Sequence, residues 1–126
     1  MEVVAAVIRL GDRFLLCKRP VQKTHGGLWE FPGGKVLPNE SLDGAIRREL
    51  IEELGVTSTP SLTATPVRIE TETETAFTIS FIETEICGNP QLLEHQSMGW
   101  FKAEEILKLQ LAPADAKFAA NCISKV

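Results

Sequence analysis

The 126-residue chain has no excess of basic residues: 13 Lys and Arg stand against 17 Asp and Glu, a formal net charge of −4. Proteins that bind nucleic-acid polymers carry a basic surplus to displace counterions, so no nucleic-acid polymer is expected as a partner. A small phosphorylated ligand stays compatible if a bound cation offsets the acid. Long apolar runs are also missing. The longest, Val3 to Ile8, has six residues, against ~20 for a membrane span. That run and Glu2 argue against both a membrane association and a signal peptide. Cysteine is scarce: Cys17, Cys87 and Cys122, an odd number with no CxxC pair, which fits reduced thiols and a cytoplasmic setting. No repeat, low-complexity tract or linker interrupts the chain. The expectation is a single domain over residues 1–126, a monomer or weak dimer, large enough to bury roughly two-thirds of its unfolded surface.

What is present alternates between short strands and helices. Val3 to Arg9 is β-branched and apolar on both faces, as in a buried strand. Gly11-Asp12 marks a turn into a second strand, Arg13 to Arg19, and the two make a hairpin. Pro20 to Leu28 has no periodicity and is expected to be a loop, followed by a very short strand at Trp29 to Phe31 and a turn at Pro32-Gly33-Gly34. Ser41 to Leu54 predicts the clearest helix: Leu42, Ala45, Ile46, Leu50 and Leu54 recur every three or four residues. Ser41 is placed as N-cap and Gly55 as terminator. Residues 57–65 read as a turn region. Val67 to Glu72 and Thr75 to Ile86 read as strands, with Phe77, Ile79 and Phe81 in period two. Another short strand is expected at Met98 to Phe101 and a short helix at Ala103 to Leu109. A last helix begins at Pro113, its apolar face formed by Ala116, Phe118, Ala119, Cys122 and Ile123. The fold class is α+β.

Glu49, Glu52 and Glu53 stand at i, i+3 and i+4 of the predicted helix, which puts three carboxylates on one side. Like charges so placed repel. They are tolerated on a solvated face, or they serve a hard divalent cation, since Mg²⁺ takes oxygen ligands from one or two carboxylates and from substrate phosphates. The flanking residues decide between these readings. From Gly34 the chain reads five residues, Glu40, seven residues, Arg48-Glu49-Leu50, one residue, Glu52-Glu53, one residue, Gly55-Val56.

This run resembles the signature box of the Nudix hydrolases at every fixed position. LWEFPGGK upstream and LAPAD downstream are similar to the MutT-like branch of nucleoside triphosphate pyrophosphohydrolases. The resemblance implies a Nudix-type α/β/α sandwich with a mixed β-sheet between helices. It implies that Mg²⁺ (or Mn²⁺) is held by Glu49, Glu52 and Glu53 and by the carbonyl of Gly33. Arg48 would orient Glu49, Glu40 would play a secondary electrostatic or metal-linked role, and Gly34 and Gly55 would shape the loop and end the helix. Water would attack the β-phosphorus and release a nucleoside monophosphate and pyrophosphate, with Glu49 in the box or Glu94 outside it as general base. Arg19 matches a phosphate-contacting arginine of the branch, and His25 lies where a substrate-facing histidine can occur. His95 is read as an ordinary loop residue, Trp29 and Trp100 as packing residues. Phe77 is a candidate to stack on the nucleobase.

Asp115, in LAPAD, stands where the 8-oxo-guanine-specific relatives carry asparagine. An ionised aspartate only accepts hydrogen bonds, whereas asparagine also donates. The expected preference is therefore for an exocyclic amino group, such as N4 of cytosine, or for the N1/N2 edge of guanine, and the resemblance of the LAPAD end implies CTP and 5-methyl-dCTP beside oxidised purines. Hydrolysis of damaged or modified (d)NTPs such as 8-oxo-dGTP is the leading expectation. Hydrolysis of nucleoside diphosphate sugars or dinucleoside polyphosphates is the alternative. A non-catalytic nucleotide-sensing module is the third reading, disfavoured because every box glutamate is present.

Overall fold

The computed structural model describes residues 1–61, 63–71 and 77–123. Strand β1 (Glu2–Val7) is apolar from Val3 onward, and from Val4 to Val7 both its faces are buried. Val4 and Ala6 pack on one side, Ala5 and Val7 on the other. It runs parallel to β8 (Thr78–Cys87) and antiparallel to β5 (Gly33–Lys35). The far edge of β8 takes β7 (Val67–Glu70) along its first half and β6 (Thr57–Pro60) along its second, both antiparallel. A second sheet is built on β3 (Arg13–Lys18), which pairs along its whole length with β9 (Ser97–Lys102) and at its two ends with β2 (Arg9–Leu10) and β4 (Trp29–Glu30).

Helix α1 (Leu42–Leu54) covers one side. Its Ala45, Ile46, Leu50 and Leu54 close a core with Val4, Ala6, Leu15, Cys17 and Ile82. On the other side α2 (Ala103–Ile106) and α3 (Pro113–Cys122) pack Ile106, Phe118 and Ala119 against Ala5, Phe14, Phe31 and Phe81. Three phenyl rings lock this second core: Phe81 stacks on Phe118 at 4.3 Å, and Phe31 meets both edge-on. The layers are helix, sheet, helix, the α+β sandwich that the sequence predicts.

The α1 caps form as read. Ser41 Oγ accepts from the Gly44 N–H at 3.0 Å, and Gly55 ends the helix at φ 66°. Four expectations are corrected. The turn at Gly33-Gly34 is instead strand β5, whose lack of side chains lets it lie flat on β1. The turn region at 57–65 begins with strand β6, where Ser58 and Pro60 rather than large apolar residues face inward. The helix at Ala103 stops at Ile106, the rest being turns. On α3 the buried face includes Ala114 and Asp115, while Ala116 is exposed. Glu72 and Thr75, placed in strands above, lie outside the described residues.

Candidate active site

The box folds as β5, a connecting loop and α1. A Cβ on Gly33 would overlap the Val4 carbonyl oxygen, and one on Gly34 would sit 2.5–2.7 Å from the Glu49 carboxylate. Two residues without side chains therefore let the strand approach β1 on one side and a glutamate on the other. Arg48 organises the acids. Its Nε donates to Glu40 Oε2 at 2.9 Å and its Nη1 to Glu49 Oε1 at 2.8 Å, while Nη2 donates to Glu40 Oε1 and to the Lys35 carbonyl. A weaker contact reaches Glu52 at 3.5 Å. The Arg48 hydrogen bonds, with one from the Leu37 N–H, hold the Glu40 carboxyl down at about 2. Glu40 and Arg48 thus form a fixed ionic brace against which Glu49 is oriented.

The three box carboxylates do not share one environment. Glu52 is half-exposed, Glu49 is mostly covered, and Glu53 is buried. Burial pushes the Glu53 carboxyl up to about 9, and the charges of Glu49, Glu30 and Glu94 push the same way. Burial also raises Glu49, against the pull of Arg48. One oxygen of Glu53, Oε2, is buried without a hydrogen-bond partner.

Glu49 and Glu53, without Glu52, line an open cleft of about 250 Å³ whose walls also include Arg19, Lys23, Glu30, Gly33, Gly34, Glu94, His95 and Asp115. The segment carrying Glu94 is tied to α1 by Gln91 N–H to the Leu54 carbonyl (2.8 Å) and Leu93 N–H to the Glu53 carbonyl (3.3 Å), and to β3 by Gln96 N–H to the Lys18 carbonyl (2.9 Å). Arg19, at the end of β3, donates from Nη1 to Glu30 (3.0 and 3.3 Å) and from Nε to the Thr24 carbonyl. His95, read from sequence as an ordinary loop residue, has a buried side chain with Nε2 2.9 Å from Glu30 Oε2. Glu30 and His95 are the two site residues that sequence reasoning missed. The available signals were an acid inside the apolar run Leu28-Trp29-Glu30-Phe31 and a histidine next to Glu94.

Asp115, at the start of α3, lines the cleft and accepts from the Phe31 N–H through Oδ2 at 2.9 Å. Burial raises its carboxyl to about 8, with Glu30 adding to the rise. Such a rise favours a protonated group, which would donate as well as accept, over the ionised aspartate expected above, while the Phe31 N–H favours the ionised form. His25 and Phe77 are not in the cleft walls. His25 is exposed on its loop at φ 58°, and Phe77 packs against the α3-side core. Trp29 packs edge-on to Phe101 at 5.0 Å, and Trp100 borders the α1-side core.

Among the described residues no three carboxylate, imidazole or thiol donors already converge on one point. The donor chemistry still fits a hard divalent cation. A carboxylate buried beside other carboxylates, with one oxygen unpartnered, is costly to ionise unless a cation joins it. The sequence model of the NUDIX domain matches residues 1–122. The chain is 41% identical over 115 residues to the CTP pyrophosphohydrolase of Escherichia coli K12, covering 91% of this chain and 85% of that one. It is 30% identical over 120 residues to the putative 8-oxo-dGTP diphosphatase 2 of Mycobacterium tuberculosis H37Rv, covering 94% and 85%. Its fold superposes on the solution structure of the E. coli ORF135 protein with a TM-score of 0.83 at 38% identity, over 98% of this chain and 88% of that one. The box, the cleft built on it and this likeness along almost the whole length agree: the chain belongs to the Nudix hydrolase family, in its MutT-like branch.

Proposed function

We propose that the protein is a divalent-metal-dependent nucleoside triphosphate pyrophosphohydrolase that acts on modified or damaged (d)NTPs, with cytosine nucleotides such as CTP and 5-methyl-dCTP and oxidised purines such as 8-oxo-dGTP as its substrate classes. The observation that carries this reading is that one cleft is lined both by the crowded carboxylates Glu49 and Glu53 and by the buried Asp115. The crowded carboxylates suit a cation with its triphosphate, and Asp115 suits the polar edge of a base.

Glu49, Glu52 and Glu53, with the Gly33 carbonyl, would hold Mg²⁺ or Mn²⁺. Bound there, the ion neutralises phosphate charge and makes a bound water more acidic. Arg48 keeps Glu49 aimed at the cleft. Arg19 keeps Nη2 free of hydrogen bonds to protein among the described residues, since Nη1 and Nε are taken, and it presents that group to phosphate oxygens. Glu94 lines the same cleft and is exposed. It takes the proton of the attacking water, while Glu49 has one oxygen already occupied by Arg48. Water adds to the β-phosphorus, the bond to the oxygen bridging the α- and β-phosphates breaks, and that oxygen leaves with the monophosphate. Asp115 and Glu30 face the base. Three free cysteines, with no disulfide among the described residues, support a reducing, cytoplasmic setting. No described helix is long and apolar enough to cross a membrane.

The test is a substrate panel of CTP, 5-methyl-dCTP, dGTP and 8-oxo-dGTP read by release of pyrophosphate. At least one should yield monophosphate and pyrophosphate, with turnover lost in excess chelator and restored by Mg²⁺ or Mn²⁺. Full activity in chelator, or release of orthophosphate and nucleoside diphosphate, would overturn the reading.

A further inference from the structure

We propose that His95 is a positioning residue that joins the base-facing and phosphate-facing walls of the cleft by holding the Glu30 carboxylate through its Nε2–H. The proposal rests on the reading above for the reaction it serves, though not for its geometry. Three elements meet at this imidazole. Its Nε2 lies 2.9 Å from Glu30 Oε2 on β4 and 3.6 Å from Glu53 Oε1 on α1, and its backbone follows Glu94 in the segment tied to α1 and β3. The side chain is only 5% exposed, so its place is fixed by packing.

The hydrogen position follows from the surroundings. Both neighbouring acceptors face Nε2. Nδ1 is buried with no partner among the described residues, and a hydrogen placed there would be a buried orphan donor, which folded proteins rarely carry. With Nε2–H, the Glu30 carboxylate is gripped from two sides: Arg19 Nη1 at 3.0 Å on Oε1 and His95 on Oε2. Without His95, Glu30 keeps Arg19 alone and is free to rotate away from the base end. Glu53 loses the group that stands between it and Glu30. Removing an outer partner that orients a site carboxylate costs ~10–100-fold in activity.

The experiment uses three variants and one spectrum. His95→Ala and His95→Asn should lower kcat/KM by ~10–100-fold and alter the ranking of CTP against dGTP. His95→Gln should recover most of the loss, because its amide nitrogen reaches the Nε2 position while that of asparagine reaches only the Nδ1 position. In a Glu30→Gln background, His95→Ala should cost little more, since the link is already broken. Long-range ¹H–¹⁵N spectra of the wild type should show hydrogen on Nε2 and a bare Nδ1, with the Nε2 signal shifted in Glu30→Gln. Equal losses in all three His95 variants, additive losses with Glu30→Gln, or a Nδ1–H tautomer would each overturn the proposal. If the wild type hydrolyses no nucleoside triphosphate, the reading of the previous subsection fails and the spectrum alone decides. An Nε2–H signal that moves in Glu30→Gln upholds the link, and its absence ends it.

Discussion

Asp115 shows how one buried side chain changes the chemistry expected from its type. From sequence it is an acceptor, because free aspartate is ionised at neutral pH. In the fold it starts α3 from the core side, with its Oδ2 held by the Phe31 N–H, and burial raises its carboxyl from the ordinary 3.8 to about 8. The folded protein therefore retains a proton that the unfolded chain releases above about pH 4. The stability this group contributes is full below pH ~4 and is lost as the pH rises towards about 8. Thermal unfolding between pH 5 and 8 should show Tm falling more in the wild type than in Asp115→Asn, which has no proton to lose. Substrate choice should follow the same titration. Below pH 8 the protonated carboxyl offers one donor and one acceptor, as asparagine does, so the two proteins should rank CTP and 8-oxo-dGTP similarly. Above pH 8 the wild type loses its donor and should shift towards cytosine, by up to ~5–150-fold for one base-edge contact, while the variant should not. Parallel pH profiles of the two proteins would remove Asp115 from base reading.

At the scale of elements, α1 was legible and β5 and β6 were not, for one physical reason. A helix is written in local signals: the Ser41 cap, the three-four spacing of Leu42 to Leu54, and Gly55. Strand β5 is Gly-Gly-Lys and β6 is Thr-Ser-Thr-Pro, and neither has an apolar alternation of its own. They are strands because β1 and β8 supply their partners from far along the chain. The box carboxylates and the Arg48 brace were readable because the box is contiguous. Glu30 and His95 were not, since they meet from positions 65 residues apart. The two glycines of β5 separate structural from chemical roles. Gly33→Ala would drive a methyl group into the backbone of β1, so it should destabilise the fold by ~1–3 kcal/mol, read by denaturant unfolding. Gly34→Ala would add a methyl whose nearest atoms belong to the Glu49 carboxylate, a side-chain end that can yield. It should cost turnover by at least ~10-fold, the lower end of the range for a displaced group around a metal, with little change in unfolding midpoint. A stable, fully active Gly34→Ala would show that Glu49 need not hold its observed position.

Across the whole molecule, the acid is unevenly distributed. The net charge is only −4, yet Glu30, Glu49, Glu53, Glu94 and Asp115 all border one cleft between the two sheets. The protein accepts repulsion and burial of carboxylates in the cleft proposed to bind a cation and a triphosphate, and the two hydrophobic cores on either side supply the stability that offsets it. Filling the cleft should therefore stabilise the fold. A divalent cation that binds only the native state at 100 times its Kd adds about 2.7 kcal/mol, or roughly 10 °C in Tm for a domain of this size. Glu53→Gln isolates the effect, because it removes one charged oxygen donor without changing shape. The variant without metal should be at least as stable as the wild type, since the amide is neutral at every pH and never meets the ionisation that burial and the neighbouring acids make costly. Its Tm rise with Mg²⁺ should be much reduced, and its turnover should fall by ~10² or more, the loss expected for one group that stabilises transition-state charge. Differential scanning calorimetry of both proteins, with and without Mg²⁺, measures all but the last quantity, and the pyrophosphate assay gives that one. A wild type whose Tm ignores Mg²⁺, or a Glu53→Gln variant that responds to it as strongly, would mean that the buried carboxylate is a structural acid and that the cation is held elsewhere in the cleft.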